Sequence, residues 1–242
     1  MIEAYKDGLE ELKKGDALYA AKKFNEAEIL FPQSKVAPRA ALMAAYSYYS
    51  QNYYLDAIAE LERFLRIYPN HKDSAYAEYL IALSYYEQIV DEKKDLNSIK
   101  NSKKVFSRIV EKYPNTDFAI DAKFKINLVD TILAAKEMYV GRYYFDRKKW
   151  IASINRFKFV IDNYETTIYT EEALHRLVEI YYLLGLEAEA KKYANLLGYN
   201  YQSSKWYQQS YSIFDKNYQK IEIQKNENSI LKKLKTLLNV DE

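Results

Sequence analysis

The side chains with the clearest potential for chemistry are apolar residues that recur at helical spacing, and the chemistry they suit is recognition of another chain. The residues that share this pattern are Tyr5, Leu9, Leu42, Tyr46, Tyr49, Tyr79, Leu83 and Tyr86. Within each group, spacings of three and four residues put the side chains on one helical face. Burial of one such side chain contributes roughly 1.5–3 kcal/mol, so two anchors predict weak, reversible capture of an apolar segment. The alternative is that these residues only pack neighbouring helices together.

Catalytic chemistry finds little support in the sequence. Cysteine is absent, which excludes disulfides, thiolate metal sites and a thiol nucleophile. His71 follows a Pro-Asn turn, and His175 has no second His or Cys at ligand spacing. We expect the carboxylate pairs at positions 10–11 and 171–172 to lie on exposed helix faces without a pocket. The sequence therefore predicts no enzyme activity, no cofactor and no metal.

The charge balance argues against a nucleic-acid partner. The 242 residues carry 36 basic and 34 acidic side chains, for a net charge of +2. Such a balance creates no global field that favours nucleic acid or an anionic bilayer. No apolar run approaches the roughly 20 residues that span a bilayer, and no signal peptide follows Met1. We expect a soluble chain.

Helical hairpins are the elements that must position the apolar residues. In the first hairpin, residues 3–32, Gly8 allows a close helix approach, Gly15 forms the turn, Phe24 fills the gap and Pro32 ends the second helix. This small-large-small pattern is typical of a tetratricopeptide repeat, whose period is about 34 residues. In the register of such repeats, the eight apolar residues face the inner groove.

The same hairpin pattern recurs along the chain. The counterparts of Gly8, Gly15, Ala20, Phe24 and Pro32 in later hairpins are Ala45, Asn52, Ala57 and Pro69, then Ala82 and Pro114, then Gly141, Ser153 and Phe157, and finally Val178, Gly185, Ala190 and Ala194. The third hairpin carries a polar insertion at 90–97. Residues 116–148 contain no proline and hold apolar residues at helical spacing, which predicts one long helix or two nearly collinear ones.

The predicted fold is all-α: an α-solenoid of about five tetratricopeptide-like hairpins with a long central helix and a C-terminal capping helix. We expect an N-terminal arm of three repeats at 1–115. Residues 116–220 hold the linking helix, the C-terminal arm and the capping helix, which starts after Ser203 or Ser204. The remaining 221–242 form a polar tail with a short amphipathic helix, suited to a partner helix, a membrane surface or the last repeat.

Particular segments give the chain a resemblance to a known family. They are MAAYSYY (43–49), the run 56–71, AYAEYLIALSYYEQI (75–89), GRYY (141–144), NRF (155–157), ALHRLVE (173–179), LGYNY (197–201) and WY (206–207). With these segments the chain resembles the BamD family, the tetratricopeptide lipoprotein subunits of the β-barrel assembly machinery. The resemblance covers almost all of 4–214. The distance between GRYY and NRF, together with the long helix, is its most specific part.

The resemblance implies a non-enzymatic scaffold of outer-membrane β-barrel assembly. The N-terminal groove would receive targeting segments of unfolded outer-membrane proteins, which end in an aromatic residue. The C-terminal arm would dock the barrel-forming insertase subunit, and the repeat register puts Arg142, Glu179 and Tyr182 on its inner face. The alternative for these three residues is an ordinary solvated face.

The resemblance also implies a location at the periplasmic face of the outer membrane. Family members begin at a lipid-modified cysteine behind a signal peptide, and this sequence contains neither. We therefore expect membrane association through a lipid anchor that the sequence does not include, with the other assembly subunits as partners. The second hypothesis is a tetratricopeptide adaptor that coordinates cell-envelope growth or division.

Overall fold

The computed structural model describes residues 2–89 and 96–214, and within them the chain forms eleven α-helices and no strand. The helices are α1 (Ile2–Lys14), α2 (Ala17–Leu30), α3 (Ala37–Ser50), α4 (Tyr54–Ile67), α5 (Ser74–Glu87), α6 (Leu96–Lys112), α7 (Asp117–Asp146), α8 (Trp150–Asn163), α9 (Thr170–Leu183), α10 (Glu187–Asn200) and α11 (Lys205–Phe214). The predicted all-α tetratricopeptide fold is confirmed. Residues 90–95 of the predicted insertion and the predicted amphipathic tail lie outside the described residues.

The turns inside the hairpins share one backbone solution. Gly15, Asn52, Lys148 and Gly185 all have positive φ angles, of 86°, 65°, 56° and 74°. At each turn the next residue donates its backbone N–H to the carbonyl five residues earlier, which satisfies a carbonyl at the end of the first helix. Glycine and asparagine favour this left-handed conformation, and for that reason the sequence identified three of these four turns.

The first compact unit ends at Leu133 and contains three hairpins, α1–α2, α3–α4 and α5–α6. Its small residues lie where neighbouring helices approach. A Cβ on Gly8 would come within 2.9 Å of the Phe24 ring, and Ala45 and Ala57 are fully buried. The first part of α7 closes this unit through Phe118, whose ring lies 5.1 Å from that of Tyr79.

The second compact unit begins at Ala134 and repeats the same packing rule. The end of α7 pairs with α8, where Gly141 faces the fully buried Phe157 ring and the Ser153 hydroxyl donates to the Gly141 carbonyl at 2.9 Å. The last hairpin is α9–α10. Helix α11 packs on both α9 and α10, as a capping helix does. The Ser204 hydroxyl accepts a hydrogen bond from the Trp206 backbone N–H in the first turn of α11.

Helix α7 matches the predicted long helix closely. It spans 30 residues, about 45 Å at 1.5 Å per residue. The boundary between the two units falls inside it, between Leu133 and Ala134. The sequence placed a division at 115–116 instead, before the helix begins.

Candidate functional site

An open apolar groove lies along the inner helices of the first unit. Its volume is about 990 Å³. The residues that line it come from α1, from α3 with the loop before it, and from α5 with the loop before it: Ile2, Tyr5, Lys6, Leu9, Lys35, Val36, Arg39, Leu42, Met43, Tyr46, His71, Lys72, Asp73 and Tyr76. Half of the eight predicted binding residues are in this set.

Those four residues form an apolar floor with one accessible ring. Tyr5 rests edge-on against Phe24, with ring centroids 5.2 Å apart, and Leu42 is only 8% exposed. Leu9 is half-buried against the same core. Tyr46 keeps 38% of its surface exposed, so it is available to contact a ligand. An apolar groove with an exposed aromatic side chain suits a peptide anchor.

The remaining predicted groove residues do not line the groove. Tyr49 is half-buried and packs edge-on against Tyr54, with ring centroids 5.9 Å apart. Burial, and to a smaller extent the charge of Glu87, raise the pKa of Tyr49. The Tyr79 hydroxyl donates to the Asp121 carboxylate at 2.5 Å. Burial, and then this hydrogen bond, raise the pKa of Tyr79. A binding role for these two tyrosines stays a prediction.

Leu83 and Tyr86 belong to the same covered part of α5. Leu83 packs against the core of the first unit. The Tyr86 ring lies 6.3 Å from that of Phe106, and the Lys125 ammonium group sits 4.6 Å from its centroid. The sequence left open the alternative that these residues only pack neighbouring helices together. The contacts of Leu83, Tyr86 and Tyr79 fit that alternative.

A rim of basic side chains along the groove was missed by the sequence reasoning. Lys6, Lys35, Arg39 and Lys72 all line the groove, and none of them forms an ion pair or side-chain hydrogen bond within the described residues. A local signal exists, because residues 29–55 contain Lys35 and Arg39 but no carboxylate. The balanced net charge of the whole chain conceals this local excess.

In the second unit, the predicted docking residue Arg142 is held by a buried carboxylate. Its guanidinium binds Glu172 in a bidentate pair, with distances of 2.7 Å and 2.5 Å. These hydrogen bonds raise the pKa of Arg142. About two-fifths of the Arg142 side chain remains exposed, so the pair is accessible from one side.

The expectation that the carboxylates at 171–172 lie on an exposed face is wrong for Glu172. This residue is only 7% exposed, because Arg142 from α7 and Arg176 from its own helix flank it. Glu171 is half-buried and accepts a hydrogen bond from the Ser204 hydroxyl. Both carboxylates therefore connect helices instead of facing water.

The other two predicted docking residues lie beside α11. Glu179 contacts Arg176 at 2.7 Å and the ring of buried His175 at 3.5 Å. Burial alone would raise the pKa of Glu179, but His175 and Arg176 outweigh it and lower that pKa. His175 in turn lies 2.8 Å from the Ser210 hydroxyl.

Tyr182 packs edge-on against Phe214, with ring centroids 5.5 Å apart. The three predicted docking residues therefore belong to one unit but engage different neighbours. Among the described residues, no group of three His, Asp or Glu side chains is placed to hold a metal ion. Within that same part of the chain, no helix is long and apolar enough to cross a membrane.

The fold and the groove define a class: a tetratricopeptide-repeat protein with an open apolar groove on its inner helices. Residues 1–197 match the YfiO family, described as outer membrane lipoprotein. Over 89% of its length, the chain is 46% identical to "Outer membrane protein assembly factor BamD" of Rickettsia prowazekii (strain Madrid E), of which it covers 85%. The corresponding protein of Caulobacter vibrioides is 40% identical over 88% of this chain and 70% of its own. The chain belongs to this family of outer membrane lipoproteins.

Likeness to solved structures is weaker. The structure titled "Crystal structure of PilW, widely conserved type IV pilus biogenesis factor" has a TM-score of 0.38 and 16% identity, covering 85% of this chain and 95% of that one.

Proposed function

We propose that this protein is a non-catalytic scaffold for outer membrane protein assembly, in which the groove of the first unit binds targeting segments of unfolded outer-membrane proteins. Its relatives are named outer membrane protein assembly factors, which supports a role in that assembly. The binding of targeting segments is supported by the open groove, which has Leu9 and Leu42 on its floor and the accessible ring of Tyr46 beside them.

Weak capture fits a protein that hands its ligand on. Tyr46 is already partly buried, so a bound side chain removes only the remaining exposed part of its ring from water. That corresponds to about 1 kcal/mol, or roughly a fivefold change in the dissociation constant. A few such contacts give affinities that allow release to a second subunit.

The test measures binding of a labelled peptide that ends in alternating apolar and aromatic residues. Tyr46→Ala should weaken binding about fivefold. Tyr53→Ala is the matched control, because Tyr53 is similarly exposed at 43% but lies outside the groove. Equal affinities for the two variants would remove the groove assignment.

The same scaffold docks the barrel-forming insertase through the second unit. The bidentate pair of Arg142 and Glu172 supports this role, because Arg142 keeps an exposed edge beside a fixed carboxylate. Charged groups of this kind set the orientation and the encounter rate of partners more than their affinity.

The docking test is co-purification of the insertase with single variants of the full chain. Arg142→Gln should reduce the recovered insertase, whereas Arg156→Gln should not. Arg156 is a suitable control because it is similarly exposed and also pairs with a carboxylate, Glu137 at 2.9 Å. Undiminished recovery with Arg142→Gln would refute the docking assignment.

We place the scaffold at the periplasmic face of the outer membrane, held there by a lipid. The description of the family as outer membrane lipoproteins supports the membrane and the lipid. Fractionation of cells that express the full gene product, with and without globomycin-type inhibition of lipoprotein processing, tests both. An anchored protein should sediment with the membranes and accumulate as a larger precursor when processing is inhibited. Recovery in the soluble fraction at an unchanged size would contradict the anchor.

A further inference from the structure

The groove of the first unit is chemically asymmetric along the axis of helix α3. Lys35 and Lys72 lie in the loops just before α3 and α5, and Arg39 lies in the first turn of α3. The apolar residues Leu42 and Tyr46 follow one and two turns further along α3. The groove therefore has a basic end at the start of α3 and α5 and an apolar part beyond it.

The charges at the basic end have no carboxylate partner within the described residues, in contrast to Arg63 and Arg108 of the same unit. Arg63 is neutralised by Glu28 at 2.6 Å, and Arg108 by Glu78 at the same distance. Among the described residues that line the groove, Asp73 is the one carboxylate, and it lies 3.5 Å from the ring of His71. The rim thus keeps a positive charge that a ligand can complement.

We infer that the basic end binds the free C-terminal carboxylate of the polypeptide whose apolar side chains occupy the rest of the groove. This inference rests on the proposed function and fixes both the polarity and the end of the bound segment. Arg39 and Tyr46 are seven residues apart on α3, about 10 Å along the helix axis. An extended chain covers that distance in about three residues. An aromatic residue within the last few positions therefore reaches Tyr46 while the carboxylate lies near Arg39.

The test compares two peptides of one sequence, which ends in alternating apolar and aromatic residues, with either a free carboxylate or a C-terminal amide. We expect the acid to bind roughly tenfold more tightly than the amide at low salt. This ratio should shrink as the ionic strength rises, because the rim is solvent-exposed. A third peptide carries the amide and an internal Asp, and we expect it to bind like the simple amide.

Variants of the whole chain locate the effect. Arg39→Gln should reduce the acid-to-amide ratio to about threefold and leave amide binding unchanged. Arg66→Gln is the control, because Arg66 is exposed on α4 outside the groove and should preserve the ratio. Equal binding of acid and amide would overturn the carboxylate inference while leaving peptide capture intact. Recovery of acid-like binding by the internal Asp would also overturn it. Binding of none of the peptides would instead refute the proposed function.

Discussion

Replacement of Gly141 by alanine tests how closely the GRYY segment (141–144) of α7 packs against the NRF segment (155–157) of α8. Gly141 lies inside α7, and a Cβ built on it would come within 2.6 Å of Cε1 and 2.9 Å of Cδ1 of Phe157. Ordinary carbon contacts require about 3.5 Å or more. The Phe157 ring is fully buried, so it cannot move away into solvent. The substitution therefore forces a shift of helix α7 or α8 by nearly 1 Å.

Two opposing terms determine the size of the effect. Overpacking of a well-packed core costs about 1–3 kcal/mol. Alanine regains about 1 kcal/mol over glycine in a helix interior. A Cβ at 2.6 Å from a ring atom is a severe overlap, so the upper part of the overpacking range applies, about 2–3 kcal/mol. After the gain in helix propensity, we expect Gly141→Ala to lower the free energy of unfolding of the second unit by about 1–2 kcal/mol.

A double-mutant cycle separates the clash from other effects. Phe157→Leu removes ring atoms from the contact and alone costs about 1 kcal/mol or more. The loss of unfolding free energy in the double variant should be smaller than the sum of the two single losses, by about 1 kcal/mol. Gly185→Ala provides the control, because its cost comes from a φ of +74° with no atom within 4 Å of the new Cβ. Its effect should simply add to that of Phe157→Leu.

The chain supplies its own local probe for this measurement. Its two tryptophans, Trp150 and Trp206, both belong to the second unit. Selective tryptophan fluorescence in urea therefore reports unfolding of that unit, whereas circular dichroism reports all helices. A Gly141→Ala variant as stable as the parent, or strict additivity with Phe157→Leu, would refute the close-packing argument.

Two further predictions concern buried carboxylates. Burial alone would raise the pKa of Glu78, but hydrogen bonds from Lys112 and Arg108 lower it below its usual 4.5. Its stabilising contribution is therefore complete above that pH and is lost as the pH falls through the lowered value. The urea midpoint followed by circular dichroism should drop on acidification below about pH 4.5, less so in Glu78→Gln; parallel curves would contradict this. Glu172→Gln should cost the second unit about 2–3 kcal/mol in the fluorescence assay, whereas exposed Glu187→Gln should change stability by less than about 0.5 kcal/mol. Equal effects of these two variants would show that the Glu172 ion pairs add nothing.

Most of the fold could be predicted because its determinants are local in sequence. A glycine or alanine on the first helix faces a large residue about sixteen positions later, as Gly8 faces Phe24 and Gly141 faces Phe157. The turns likewise depend on single residues with a left-handed preference. Lys148 is the exception, because lysine gives no such signal.

The candidate site was less predictable because it depends on which helix lies beside it. The repeat register directs both Tyr46 and Tyr79 to the inner face of their helices, α3 and α5. Tyr46 remains open, whereas the first part of α7 covers Tyr79 through Phe118 and Asp121. A repeat register gives the direction of a side chain from its own helix, but it does not say whether the next helix leaves that face free.

Charge pairing separates positions that hold the repeats together from positions that remain available to a ligand. Glu28, Glu78 and Glu172 are buried, and each is bound by an arginine at least 30 residues away in sequence. Loss of the arginine from such a pair leaves an uncompensated carboxylate in a poorly hydrated place, so these arginines stabilise the fold. Arg142 does so while it keeps the exposed edge on which the proposed docking depends. Arg39 and Lys72 carry the same charge in an accessible groove without such a partner. Their substitution should therefore change stability little and ligand binding more, the opposite of what Glu172→Gln should do.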